Sequence, residues 1–226
     1  MVATAPKLWP QSTVVCIASG PSLTPGDCDL VREAHLDGTV KVIVINTSYQ
    51  LAPWADCLYA CDARWWKWHD GAKDFRGLKY SLNPHVDPPA QARYSLPCDY
   101  GVTVLKNTGT TGLEVDPTGL RTGHNSGYQA INLAVHLGAK KIVLLGYDLK
   151  RAPDGKVHWH GDHRQATSVP LSLFLPTFQT LVKPLRALGI AIENCSRESA
   201  LTCFPRVSLR EALSARAPAA ALEMSL

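Results

Sequence analysis

Residues 125–149, NSGYQAINLAVHLGAKKIVLLGYDL, read as a helix, a stop and a buried strand in direct succession. Ile131, Leu133, Ala134, Val135 and Leu137 make the helix apolar over much of its surface, as expected for one packed on a sheet. Gly138 then takes the C-cap position, which needs a positive φ. KKIVLLG is a continuous apolar run of strand length, the pattern of a strand covered on both faces, and it stops at Tyr147 and Asp148.

Towards the N-terminus the same alternation recurs. TVVCIA (13–18) is a buried strand running into the turn SGPSL; TPGDCDLVREAH follows as a helix with Thr24 as N-cap and Pro25 at its first position. KVIVIN (41–46) and CLYACD (57–62) are further strands, ending at Asn46-Thr47 and at Asp62. ARWWKWHD reads as a short helix whose Trp65, Trp66 and Trp68 suit packing under a loop better than stacking on a base or sugar. Residues 70–123 lack a clear pattern beyond the brief strand-like pieces LKYSL and GVTVL, so an irregular insertion over the sheet is expected there.

Towards the C-terminus come a polar loop (150–167), a long helix over 170–189 interrupted near Pro176 and Pro184, and a late strand, AIENC (191–195). The chain divides into a flexible lead-in (1–12), one α/β domain (13–207) and an Ala-rich helical tail (208–226) suited to a surface or oligomer contact. Buried strands alternating with helices predict a single Rossmann-like α/β domain, with a mostly parallel sheet and helices on both faces.

Composition narrows the function. At 226 residues, 46% apolar and a formal charge of +4, the chain is an ordinary globular protein. It has no basic run of the kind that marks sequence-independent nucleic-acid binding. No apolar stretch reaches the ~18 residues of a membrane span, and no basic-then-apolar leader begins it. Seven scattered cysteines without a CxxC pair imply neither a disulfide framework nor a zinc knuckle. A cytoplasmic protein that attracts a small anion is the expectation.

In parallel sheets ligands sit beyond the carboxyl ends of the strands. Those ends carry Ser19-Gly20-Pro21-Ser22, Asn46-Thr47, Asp62 and Tyr147-Asp148, and Asn125-Ser126-Gly127 opens the long helix. The SGPSL turn and the helix start offer N–H groups to a phosphate, Asn46 suits a ribose or base, and Asp148 suits a ribose hydroxyl, a base amino group or a metal-bound water. HWHGDH (158–163) is the densest chemical cluster. His158, His160, Asp162 and His163 suit a divalent metal such as Mg²⁺ or Mn²⁺, although nothing in the sequence requires a cofactor. One histidine of the set alternatively suits a general base. The string matches the HxHxDH signature of metallo-β-lactamase-type hydrolases, but the chain has no histidine after His163 to complete such a site.

The succession GPSL, a strand ending in Asn, a Ser-Gly-opened helix, a strand running into Gly-x-Asp and a His-containing loop resembles two related families. One is the bacterial CMP-sialic-acid-dependent sialyltransferases of the Campylobacter type. The other is the 6-hydroxymethylpterin diphosphokinase-like family, which includes flagellin-modification (motility accessory) proteins. The chain also looks like small proteins carried by phages and prophages. The resemblance covers 13–62 and 121–163. It implies that Ser19, Gly20, Ser22, Asn46, Asn125, Ser126, Gly127 and Asp148 hold a nucleotide, and that Arg121 meets its phosphate. Departures are visible: Asp162 stands at the sialyltransferases' catalytic His, flanked by His160 and His163, and Trp159 at a Tyr.

The leading expectation is therefore a glycosyltransferase-like enzyme taking a nucleotide-sugar donor and a small-molecule or glycan acceptor. His160 or His163 would act as base, and Arg121 would stabilise the leaving phosphate. Mg²⁺-dependent diphosphate transfer from ATP and a non-enzymatic nucleotide-binding accessory role are the alternatives.

Overall fold

A computed structural model describes residues 3–82, 96–161 and 170–214. Eight strands form one sheet: β1 (Ser12–Ile17), β2 (Val40–Ile45), β3 (Cys57–Tyr59), β4 (Leu78–Leu82), β5 (Thr103–Asn107), β6 (Gly119–Leu120), β7 (Ala139–Leu145) and β8 (Ala191–Asn194). Their order is β6-β5-β4-β3-β2-β1-β7-β8, and every pairing is parallel. Helices cover both faces, completing a Rossmann-like α/β fold.

Helix α1 (Pro25–Leu36) starts as its sequence predicts. The Thr24 hydroxyl accepts from the Asp27 amide, and the Asp27 carboxylate accepts from the Thr24 amide, closing a capping box. Helix α2 (Ala63–Trp68) is capped by Asp62, which accepts from the Arg64 amide. On this face Val31, Trp65 and Trp66 pack under the sheet with Val15, Val42 and Leu58. Trp65 and Trp66 are buried, donating to the Thr47 hydroxyl and the Ala60 carbonyl, so both rings belong to the core.

Helix α3 (Ser126–Leu137), capped by Asn125 and closed at Gly138, covers the opposite face with α4 (Leu175–Gln179) and α5 (Val182–Ala187). Ile131, Leu133 and Leu137 are fully buried, each contributing on the order of 2 kcal/mol. The two prolines fall in the first turns of α4 and α5, where a missing N–H costs little; the expected long helix is two short ones behind a 3-10 turn (Leu171–Phe174).

Two expectations change. The 70–123 stretch contributes β4, β5 and β6 to the same sheet. The strand-like pieces LKYSL and GVTVL fall at β4 and the start of β5, too short for periodicity to assign them to the sheet, and β6 has only two residues. The lead-in is packed: Ala5 and Trp9 are buried, their amides donating to Pro117 and Leu137 carbonyls. From the tail, α6 (Leu209–Ser214) buries Leu209 and Ala212 against the sheet, and the Ala212 carbonyl accepts from buried Lys141 at 2.9 Å.

Candidate ligand cleft

The chain leaves β1 through α1 on one face and enters β7 from α3 on the other, although β1 and β7 are neighbours. Such a reversal parts the loops at the strands' carboxyl ends and opens a crevice. A cleft of about 220 Å³ lies there. Ala18, Ser19 and Gly20 line it from β1, Asn46 from β2, residues 146–149 from β7 and residues 124–127 from the start of α3. Val157, His158, Leu171 and Phe174 close its sides. Four segments far apart in the chain thus meet at one edge of the sheet.

Close packing holds these segments together. A Cβ on Gly20 would lie 2.3 Å from the Asp148 carboxylate and 2.5 Å from the Gly146 carbonyl. A Cβ on Gly127 would lie 2.8 Å from the Tyr147 ring. Only glycine lets the SGPS turn and the first turn of α3 approach β7 so closely. Tyr147 completes the joint: its hydroxyl donates to the Gly127 carbonyl at 3.0 Å, and its own amide donates to Ser196.

Many of the polar groups here are engaged within the fold. Asp148 is buried, and its carboxylate accepts from both the amide and the hydroxyl of Ser22 at 2.8 Å each. Burial raises its carboxyl above the ordinary aspartate range, opposed by those two bonds. The SGPS turn therefore has few amides for an anion. Gly20 donates to Gly146, Pro21 has no N–H and Ser22 serves Asp148.

The Ser19 hydroxyl bonds His158 Nδ1 at 2.9 Å, and the Trp159 amide donates to the Ser19 carbonyl. Trp159 Nε1 donates to Ser48, so the 157–161 loop is pinned beside the end of β1. His160 stacks parallel to His158 with centroids 5.1 Å apart, outside the cleft lining.

Other groups remain open. Asn125 accepts from the Gly127 and Tyr128 amides, leaving the Ser126 N–H outside the cap at the positive end of the α3 dipole. Among the described residues, the side chains of Asn46, His124 and Ser126 have no hydrogen-bond partner, and all three line the cleft. Backbone strain gathers at the same place. Asn46, His124 and Leu149 adopt φ of 52°, 53° and 49°, three of the six non-glycine residues with positive φ among those described. Such conformations concentrate where a surrounding structure must place groups for function.

The remaining sequence-predicted residues lie elsewhere. Pro21 and Ser22 are not among the lining residues, Thr47 accepts from the Trp65 indole, and Asp62 caps α2 beside Arg64. Arg121 is turned away: it donates to the Thr108 carbonyl and pairs with Glu114 at 3.3 Å. Asp162 and His163 lie outside the described residues, within which no group of three or more His, Cys, Asp or Glu forms a metal site. His124, Leu171 and Phe174 are lining residues that the sequence reading missed. The signal for His124 was its place in Gly-His-Asn before an apolar helix, since His is one of the few residues enriched in the left-handed region.

Fold and cleft together define the class: a Rossmann-like α/β domain with a cleft at a topological switch point. No protein-family model matches the sequence, and no curated protein matches it. Among solved structures it is similar to the MAf glycosyltransferase from Magnetospirillum magneticum AMB-1, with a TM-score of 0.57 and 16% identity over 92% of this chain. The chain spans about a third (35%) of that protein's length, and the likeness is one of fold. No helix among the described residues is long and apolar enough to cross a membrane.

Proposed function

We propose that this chain is a transferase that binds a nucleotide-activated sugar in the switch-point cleft and passes the sugar to an acceptor hydroxyl. The observation that carries this reading is the convergence of open donors, Asn46 and Ser126 with the first N–H of α3, on one crevice at the strands' carboxyl ends. A phosphate at the α3 start meets the positive end of the helix dipole and the Ser126 hydroxyl. Asn46 faces the ribose or base, while Leu171 and Phe174 offer an apolar wall to a ring. The fold it shares with a protein named as a glycosyltransferase supports sugar transfer over other nucleotide chemistry.

Stabilising the leaving phosphate falls to the α3 start in this scheme, because Arg121 is held by Glu114. His160, or His163, takes the proton of the acceptor hydroxyl. The Asp148 carboxylate positions the SGPS turn.

A thermal-shift screen of CMP, UDP, GDP, ADP and ATP, with and without Mn²⁺ or Mg²⁺, tests the reading. A ligand at a hundred times its dissociation constant adds about 2.7 kcal/mol of stability. A response to a mono- or diphosphate nucleotide without ATP supports sugar transfer. A response confined to ATP with Mg²⁺ would point to diphosphate transfer instead, and silence from all five would remove the nucleotide reading.

A further inference from the structure

His124 is exposed, lines the cleft and stands at a φ of 53° between Gly123 (φ 49°) and the N-cap Asn125. A left-handed conformation costs a non-glycine residue on the order of 1–2 kcal/mol. The turn itself is built from backbone: the Thr122, Gly123 and Asn125 amides donate to the Gly109, Thr110 and Thr122 carbonyls. Nothing among the described residues bonds the imidazole in return, so its side chain adds strain without a structural contact. Glycine would make the same turn with less strain.

The charge of the cleft supplies the second observation. No Lys or Arg lines it among the described residues. Its cation-capable side chains are His124 and His158, and His158 Nδ1 is engaged by the Ser19 hydroxyl.

We propose that His124 is a ligand-contacting residue of the cleft, whose imidazole hydrogen-bonds the ligand's phosphate alongside Ser126. This rests on the nucleotide reading above and extends it to a residue outside both the strand-end motifs and the histidine-rich loop. The role is one of binding and of stabilising charge on the phosphate; no bond to His124 forms or breaks. It also accounts for the strain, because the left-handed turn seats the ring at the mouth of the cleft directly before the helix start.

The test compares His124→Gly and His124→Asn, both suited to the left-handed turn, with the unaltered chain. Melting temperature is read without ligand, and affinity for CMP, UDP, GDP, ADP and ATP by titration calorimetry. The expected result is a melting temperature at or above that of the unaltered chain, with affinity reduced about ten- to hundredfold for both variants. A purely structural His124 would give the reverse, lower melting temperatures with affinity unchanged, and that result overturns the assignment. If the unaltered chain binds and the variants bind equally, His124 alone loses its role. If the unaltered chain binds none of the five, the parent reading fails and takes this one with it.

Discussion

The two ends of α3 carry polar groups of similar type with opposite fates. Near its C-terminal half, Asn132 and His136 are buried and bonded: the Asn132 carboxamide accepts from the Glu114 and Arg121 amides and donates to the Glu114 carbonyl. His136 bonds the Gly119 carbonyl at 2.8 Å. That cluster fastens the segment bearing β6 to the helix. At the N-terminal end, the side chains of Ser126, His124 and the neighbouring Asn46 border a cleft and bond nothing among the described residues. A polar residue on this helix is thus structural or available according to its partners, and residue type alone does not reveal which.

The sharpest way to break the contrast is Asn132→Leu. It strips partners from three part-buried backbone groups at once and empties a fully buried carboxamide site, so stability should fall by about 3 kcal/mol in denaturant titration. Nucleotide affinity per folded molecule should persist. Equal damage to affinity would mean that the two ends are not separate.

The matched pair Asn46→Gly and Arg121→Ala sharpens the contrast further. Asn46→Gly, which keeps the left-handed turn without strain, should weaken nucleotide binding about tenfold by calorimetry and leave the melting temperature near its starting value. Arg121→Ala should cost about 1 kcal/mol of stability and spare the affinity. A tenfold loss of binding on removing Arg121 would instead restore the phosphate role that the sequence suggested for it.

The smallest effect is in pH. Burial lowers the pKa of His136 below the ordinary histidine value of 6.5, the bond to Gly119 opposing it. Acidification therefore protonates the unfolded chain first. The stability held above that value declines as pH falls through it towards the lower folded pKa. Denaturant midpoints measured between pH 7.5 and 5.5 should drop, and His136→Gln should flatten the slope.

The strong strands and α3 were legible because each is a long apolar run bounded by a cap or turn. The rim was legible because parallel sheets bind ligands at strand ends, and that rule needs no side-chain detail. β4 and β5 showed only as the brief strand-like pieces LKYSL and GVTVL, with nothing to place them in the sheet, and the two-residue β6 left no pattern in a segment rich in Gly and Pro. Nor was the division of labour within the rim legible. Ser22 and Asp148 bond across 126 residues of chain, and Arg121 finds Glu114 only once β6 is in place. No local pattern announces such pairings. The same blindness made Arg121 look like a phosphate ligand and left His124 unnoticed.

The Tyr147 phenol, which ties the end of β7 to the first turn of α3, has a kinetic corollary. Because one buried ring locks both walls together, a guest bound as proposed would find the α3 donors already set against β7 and would lose little binding free energy to arranging them. Variation among related ligands should then surface as differences in residence time, with arrival rates nearly constant.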